Sequence, residues 1–141
     1  MYDTIVVGTD GSPVADVAVD TAAELAHQFG SRLILIHVTE LVGGKGGVFP
    51  RFLDENEIHQ HVEDRVSTLM STGIKAEAMF GVVKLGGPAH VIAETASEND
   101  AGLIVVGSHG HTLSGLVLGA VPLRLLQIAH RPVLVVPAVA S

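Results

Sequence analysis

The chain has 141 residues and a net charge of −7, with 48% hydrophobic residues, 16% charged residues and no cysteine. That length suits one domain, taken here as 1–141, and an acidic chain without a basic run is a poor partner for nucleic acid. Disulfides, a thiolate nucleophile and cysteine-ligated zinc are excluded, and no apolar run reaches the roughly 18 residues that would carry it through a membrane.

The opening Met1-Tyr2-Asp3-Thr4 lacks the basic segment of a secretory leader, so a cytoplasmic location is expected. Thr4 to Thr9 is a strand-like run stopped by Asp10-Gly11-Ser12-Pro13. Ser12 suits a helix N-cap and Pro13 the first helical position. Val17, Ala18, Thr21, Ala22, Leu25 and Ala26 follow at helical spacing, and Gly30 closes the helix. Arg32 to Val38 is the second strand. Leu41 to Pro50 holds four glycines and one proline and reads as a mobile loop. A second helix begins near Arg51, with Ile58, Val62, Val66 and Leu69 as its apolar stripe and Gly73 at its end.

Lys75 to Gly81 reads as the third strand, and Val82 to Gly87 as a short connection. Pro88 starts a third helix with Ala89, Ile92, Ala93 and Ala96 on its inner face. Ala101 to Gly107 is the fourth strand, 116–129 the fourth helix, and Arg131 to Pro137 the fifth strand. Strict β-α alternation predicts a single-domain α/β fold: a five-stranded parallel sheet with helices on both faces. In such sheets ligands bind beyond the carboxyl ends of the strands, where strand order reverses. The last strand, bounded by Pro132 and Pro137, reads as a sheet edge. An apolar edge either pairs with a second copy, giving a twofold dimer, or is covered by the chain's own tail.

Candidate chemistry concentrates in the loops. Val106-Gly107-Ser108-His109-Gly110 lies between a strand and a helix. Its backbone N–H groups suit an anion, with Gly119 and the helix start near Ala120 adding donors; the same glycines also serve a plain turn. Asp10 suits a Mg²⁺ or a ribose hydroxyl, or simply the local hydrogen bonds of its turn. His109 and His111 flank Gly110 but make a weak metal pair. His59 and His61 point to different helix faces and read as solvated. So do the carboxylates of Asp54, Glu55, Glu57, Glu63 and Asp64. His37, inside an apolar strand, reads as a hydrogen-bonded core or pocket-edge residue. No nucleophile elbow and no P-loop occurs, so no catalytic residue is assigned.

Taken in order, several segments resemble the universal stress protein family over essentially the whole chain. They are Asp10-Gly11-Ser12, His37-Val38, Gly87-Pro88-Ala89 before Ile92, Leu103 to Gly110, Leu118-Gly119-Ala120-Val121, and Arg131 to Pro137. The resemblance implies a flavodoxin-like or Rossmann-like sheet in strand order 3-2-1-4-5 and a stress-response homodimer formed through strand 132–137. It further implies an adenine nucleotide (ATP or AMP), with Mg²⁺ near Asp10, or a non-binding member acting as a dimeric protein-interaction module. The implied nucleotide positions are Gly8, Thr9, Asp10 and Val38, then Gly107, Ser108, His109, Gly110 and His111, then Gly119, Ala120 and Val121. Members that bind ATP carry G-x2-G-x9-G-[ST]. Here eight residues separate Gly110 from Gly119, and Ala120 stands at the hydroxyl position. A lost charge-assisted contact of about 1.5–3 kcal/mol weakens binding roughly tenfold to a hundredfold. Any hydrolysis would be slow, because no general base is evident.

Overall fold

A computed structural model describes residues 2–44, 46–50, 54–83, 85–109 and 118–137. Five strands form one parallel sheet: β1 (Thr4–Gly8), β2 (Arg32–Thr39), β5 (Lys75–Val82), β6 (Leu103–Gly107) and β7 (Val133–Val136). Their order is β5-β2-β1-β6-β7, which is 3-2-1-4-5 when the strands of this sheet alone are numbered. The helices α1 (Pro13–Phe29), α2 (Glu55–Ser71), α3 (Gly87–Glu98) and α4 (Ala120–Ile128) make the crossovers.

Every residue of β1 is buried, as expected where helices cover both sheet faces. Alternation along the strands sorts the core into two layers. Ile5, Val7, Leu33, Leu35 and Val105 pack against α1 and α2. Val6, Ile34, Ile36, Ile104 and Val106 pack against α3 and α4. The layer under α1 is lined on the helix side by Ala15, Ala18, Ala22 and Ala26, whose small side chains let the helix approach the sheet closely. Ser12 caps α1, its Oγ accepting from the Ala15 N–H at 3.2 Å, and Gly30 ends the helix in the left-handed conformation. At the amino-end rim, Arg32 joins β2 to β5 and α3, with Nε 2.6 Å from Glu77 Oε1 and Nη2 2.9 Å from Asn99 Oδ1.

Several expectations need revision. The segment 41–50 is not a loop. It contains the antiparallel strands β3 (Leu41–Gly44) and β4 (Gly47–Pro50), paired outside the main sheet. Gly46 and Gly47 have φ of +96° and +127°, so the glycines that suggested a loop build the turn of a hairpin. Helix α2 starts at Glu55 with Asp54 as N-cap, later than the Arg51 expected, and 51–53 lie outside the described residues. Helix α4 runs from Ala120 to Ile128, and the expected extension back to Leu116 falls partly outside them.

Candidate functional site

Strand β1 sits between β2 and β6 because the chain first winds one way and later returns on the other side. The carboxyl ends of β1 and β6 therefore frame the crevice expected at a strand-order reversal. Glycine ends both strands. A Cβ on Gly8 would come within 3.0 Å of Ile92 Cδ1 and 3.2 Å of Val106 Cγ1, and one on Gly107 within 2.9 Å of Val14 Cγ1. Side chains are excluded there by packing from α3 and α1.

The turn after β6 is tied at both ends. Ser108 N–H donates to the Val136 carbonyl at 2.9 Å, and Gly119 N–H donates to the Ser108 carbonyl at 2.7 Å. A Cβ on Gly119 would stand 3.1 Å from His109 Cα and 3.3 Å from the Ser108 oxygen. Ser108, His109 and Gly119 are thus in direct contact. Helix α4 begins at Ala120 with no side-chain cap, which leaves its first N–H groups for other partners. Pro122 removes one of those donors. Ala120 is exposed, whereas Val121 packs against the α3/α4 layer. Gly110 and His111 lie outside the described residues.

Asp10 is half-buried, and its Oδ1 accepts from Ser12 N–H at 3.0 Å. Thr9 Oγ1 accepts from Gly11 N–H at 3.1 Å, so both residues make the local bonds of the turn. The Thr9 N–H donates to the Ile36 carbonyl at 3.0 Å, which continues the β1–β2 ladder to the rim. Val38, near the end of β2, packs on the α3/α4 side, the same side on which Ile92 and Val106 close over Gly8.

A second cluster lies on the opposite side of β2. His37 is 2% exposed, and its Nδ1 stands 2.8 Å from the Thr9 carbonyl oxygen. A carbonyl only accepts, so Nδ1 carries a hydrogen. Its Nε2 faces the Glu55 carboxylate at 2.9 and 3.1 Å. Thr39 Oγ1 donates to Glu55 Oε2 at 3.3 Å. One turn along α2, His59 Nε2 lies 3.4 Å from Glu55 Oε2, and its ring stacks on Phe80 with centroids 4.2 Å apart. Phe80 is the β5 register partner of His37.

This cluster corrects two readings of the sequence. Glu55 is not part of a solvated acidic face: it is 8% exposed and turned into the fold. Neither His59 nor His61 is simply solvated, since His61 Nε2 bonds Asp16 Oδ1 at 2.8 Å. The signal for Glu55 was present in His37. A histidine inside an apolar strand needs a partner for each ring nitrogen. Its partner sits 18 residues away, where spacing says nothing.

Comparison with known proteins gives one result. Residues 1–137 match the family model described as the universal stress protein family. A universal stress protein of Bacillus subtilis, YxiE, is 32% identical, with 96% of this chain and 99% of the relative covered. A universal stress protein solved in complex with cAMP is 29% identical with a TM-score of 0.72, covering 98% of each chain. One from Archaeoglobus fulgidus in complex with dAMP is 28% identical with a TM-score of 0.68, covering 95% of this chain and 97% of that one.

Proposed function

Because the chain belongs to the universal stress protein family, we propose that it is a stress-response regulatory homodimer that binds an adenine nucleotide, ATP or AMP, at the carboxyl-end rim of its sheet. The observation that carries this reading is the reversal of strand order between β1 and β6, whose carboxyl ends frame a crevice at the rim. Two relatives of the same fold bind cAMP and dAMP. The adenine would lie along Gly8, Thr9 and Val38. The phosphates and ribose would meet Gly107, Ser108, His109, Gly110, His111, Gly119, Ala120 and Val121; the N–H groups of Ser108 and Gly119 are already bonded to carbonyls, so the backbone donors would come chiefly from the start of α4. Asp10 is the residue we assign to a Mg²⁺ accompanying the phosphates.

The dimer would form through strand 132–137. Strand β7 is an edge of the sheet, and Leu134 on it and Leu123 and Leu126 on α4 are exposed. Exposed leucines beside a sheet edge favour burial against a second copy. Nothing in this reading requires turnover, and we assign the chain a binding role in the cytoplasm.

A second reading, a nucleotide-independent dimeric interaction module, is favoured by Ala120 and Pro122, which together remove a hydroxyl and an N–H from the start of α4. Calorimetric titration of the full chain with ATP and AMP, with and without Mg²⁺, separates the two. Saturable heat and a thermal upshift are expected. No heat and no shift at millimolar ATP would leave the interaction module standing. Sedimentation equilibrium should give twice the chain mass, and a monomer would remove the dimer from both.

A further inference from the structure

We propose that His37, Glu55 and His59 form a binding site for a divalent transition-metal ion of the zinc class, separate from the nucleotide rim. The three side chains offer His37 Nε2, a Glu55 carboxylate oxygen and His59 Nε2, all within 4.8 Å of one another. Two imidazoles and one carboxylate are a donor set that zinc accepts readily and magnesium does not. Zinc bonds of about 2.0–2.1 Å in tetrahedral geometry set donors roughly 3.3–3.4 Å apart. His59 Nε2 and Glu55 Oε2 already stand 3.4 Å apart, and His37 Nε2 is 2.9 Å from the same oxygen. The His37–Glu55 edge opens by a few tenths of an ångström, the two imidazoles, now within 4.8 Å of one another, close to the same spacing, and the fourth corner is left for water or an exogenous ligand.

Two features argue for a metal over a closed hydrogen-bonded network. His59 Nε2 is buried and makes no hydrogen bond among the described residues. Such an atom is costly in a native structure, and a bound ion would satisfy it. The second feature is the bond from His37 Nδ1–H to the Thr9 carbonyl. It fixes the tautomer and turns Nε2 inward, the outer-shell arrangement usual for ligating histidines. Thr39 steadies the carboxylate in the same way. Glu55 and His59 are four apart on α2, which brings both side chains to one face. On binding, the proton shared by His37 Nε2 and Glu55 passes to solvent, and the ion takes its place.

The site lies on the α1/α2 side of β2, whereas Val38 and the side chains packed over Gly8 lie on the α3/α4 side. Its test is independent of nucleotide. Metal-free full-length protein is titrated with Co²⁺, followed by displacement with Zn²⁺. One equivalent per chain should give the intense visible bands of four-coordinate cobalt, lost as zinc is added. His59→Phe keeps a ring against Phe80 and should weaken binding by at least about a hundredfold, since even outer-shell changes cost ten- to a hundredfold. His61→Asn should leave both stoichiometry and spectrum unchanged. Circular dichroism verifies the fold of each variant, and Glu55→Gln replaces His59→Phe should the latter unfold. Proton NMR of the wild-type cobalt protein should show two shifted imidazole N–H signals. Absence of the bands, a weak six-coordinate spectrum, undiminished binding in His59→Phe, or equal loss in His61→Asn would each overturn the proposal.

Discussion

The backbone N–H of Gly119 donates to the carbonyl oxygen of Ser108 across 2.7 Å, joining the start of α4 to the first residue after β6. Ser108 and Gly119 are thereby held against one another at the rim.

That closure is sensitive to one methyl group. A Cβ at residue 119 would meet His109 Cα at 3.1 Å, and a backbone atom yields less easily than a side chain. Gly119→Ala should lower ATP affinity about tenfold, close to 1.4 kcal/mol, with the far-ultraviolet spectrum unchanged. Calorimetry supplies the measurement, and full affinity would mean that phosphates do not reach this turn.

Ala120 offers the opposite experiment. It is exposed at the first position of α4 and has no hydroxyl. Ala120→Ser should tighten ATP binding about tenfold or more, on the scale of one charge-assisted hydrogen bond. The stability of the unliganded protein should change little. An affinity indistinguishable from wild type would put the phosphates elsewhere.

Ser12 gives a prediction about stability alone. Its Oγ is the acceptor for Ala15 N–H at the start of α1, and the residue is buried. Ser12→Ala should cost about 1 kcal/mol, read as a lower urea midpoint at constant m. A loss below about 0.3 kcal/mol would show that the cap is replaced by water.

Adjacent leucines on α4 separate the core from the face proposed for the dimer. Leu125 is 0% exposed and Leu126 is 60% exposed. Leu125→Ala should destabilise the fold by about 2–5 kcal/mol. Leu126→Ala should shift chemical denaturation of the isolated subunit by less than about 0.5 kcal/mol. Sedimentation should show Leu126→Ala loosening the dimer. A dimer untouched by that change would place the contact away from α4.

The five parallel strands were legible because strands covered on both faces read as unbroken aliphatic runs, as in Thr4–Gly8 and Leu103–Gly107. Alternation with helical stripes then gave the fold class, and the family resemblance supplied the strand order. The 41–50 hairpin was not legible. Its glycines mask the flanking β-forming residues, and the pair stands outside the main sheet, so no core-facing pattern marks it. The rim glycines were legible as a strand-to-helix turn. Their reason became visible only with the packing of Val14, Ile92 and His109 around them. Glu55 was misread because an acid in the first turn of a helix is normally satisfied by water and the helix dipole. Its actual partner belongs to a different element.

Near its carboxyl end, strand β2 carries an imidazole and an isopropyl group on consecutive residues, His37 and Val38, directed to opposite sides of the sheet. Slippage by one position against β1 would drive His37 toward Ile92 and Val106 and strand the Glu55 carboxylate opposite a methyl-bearing neighbour. A misthreaded chain would then carry an orphaned acid at a cost of about 1–3 kcal/mol or more, over and above its lost apolar burial. The His37–Glu55 pair thus penalises a one-residue slip that the aliphatic run Leu33 to Ile36 of β2 would otherwise tolerate.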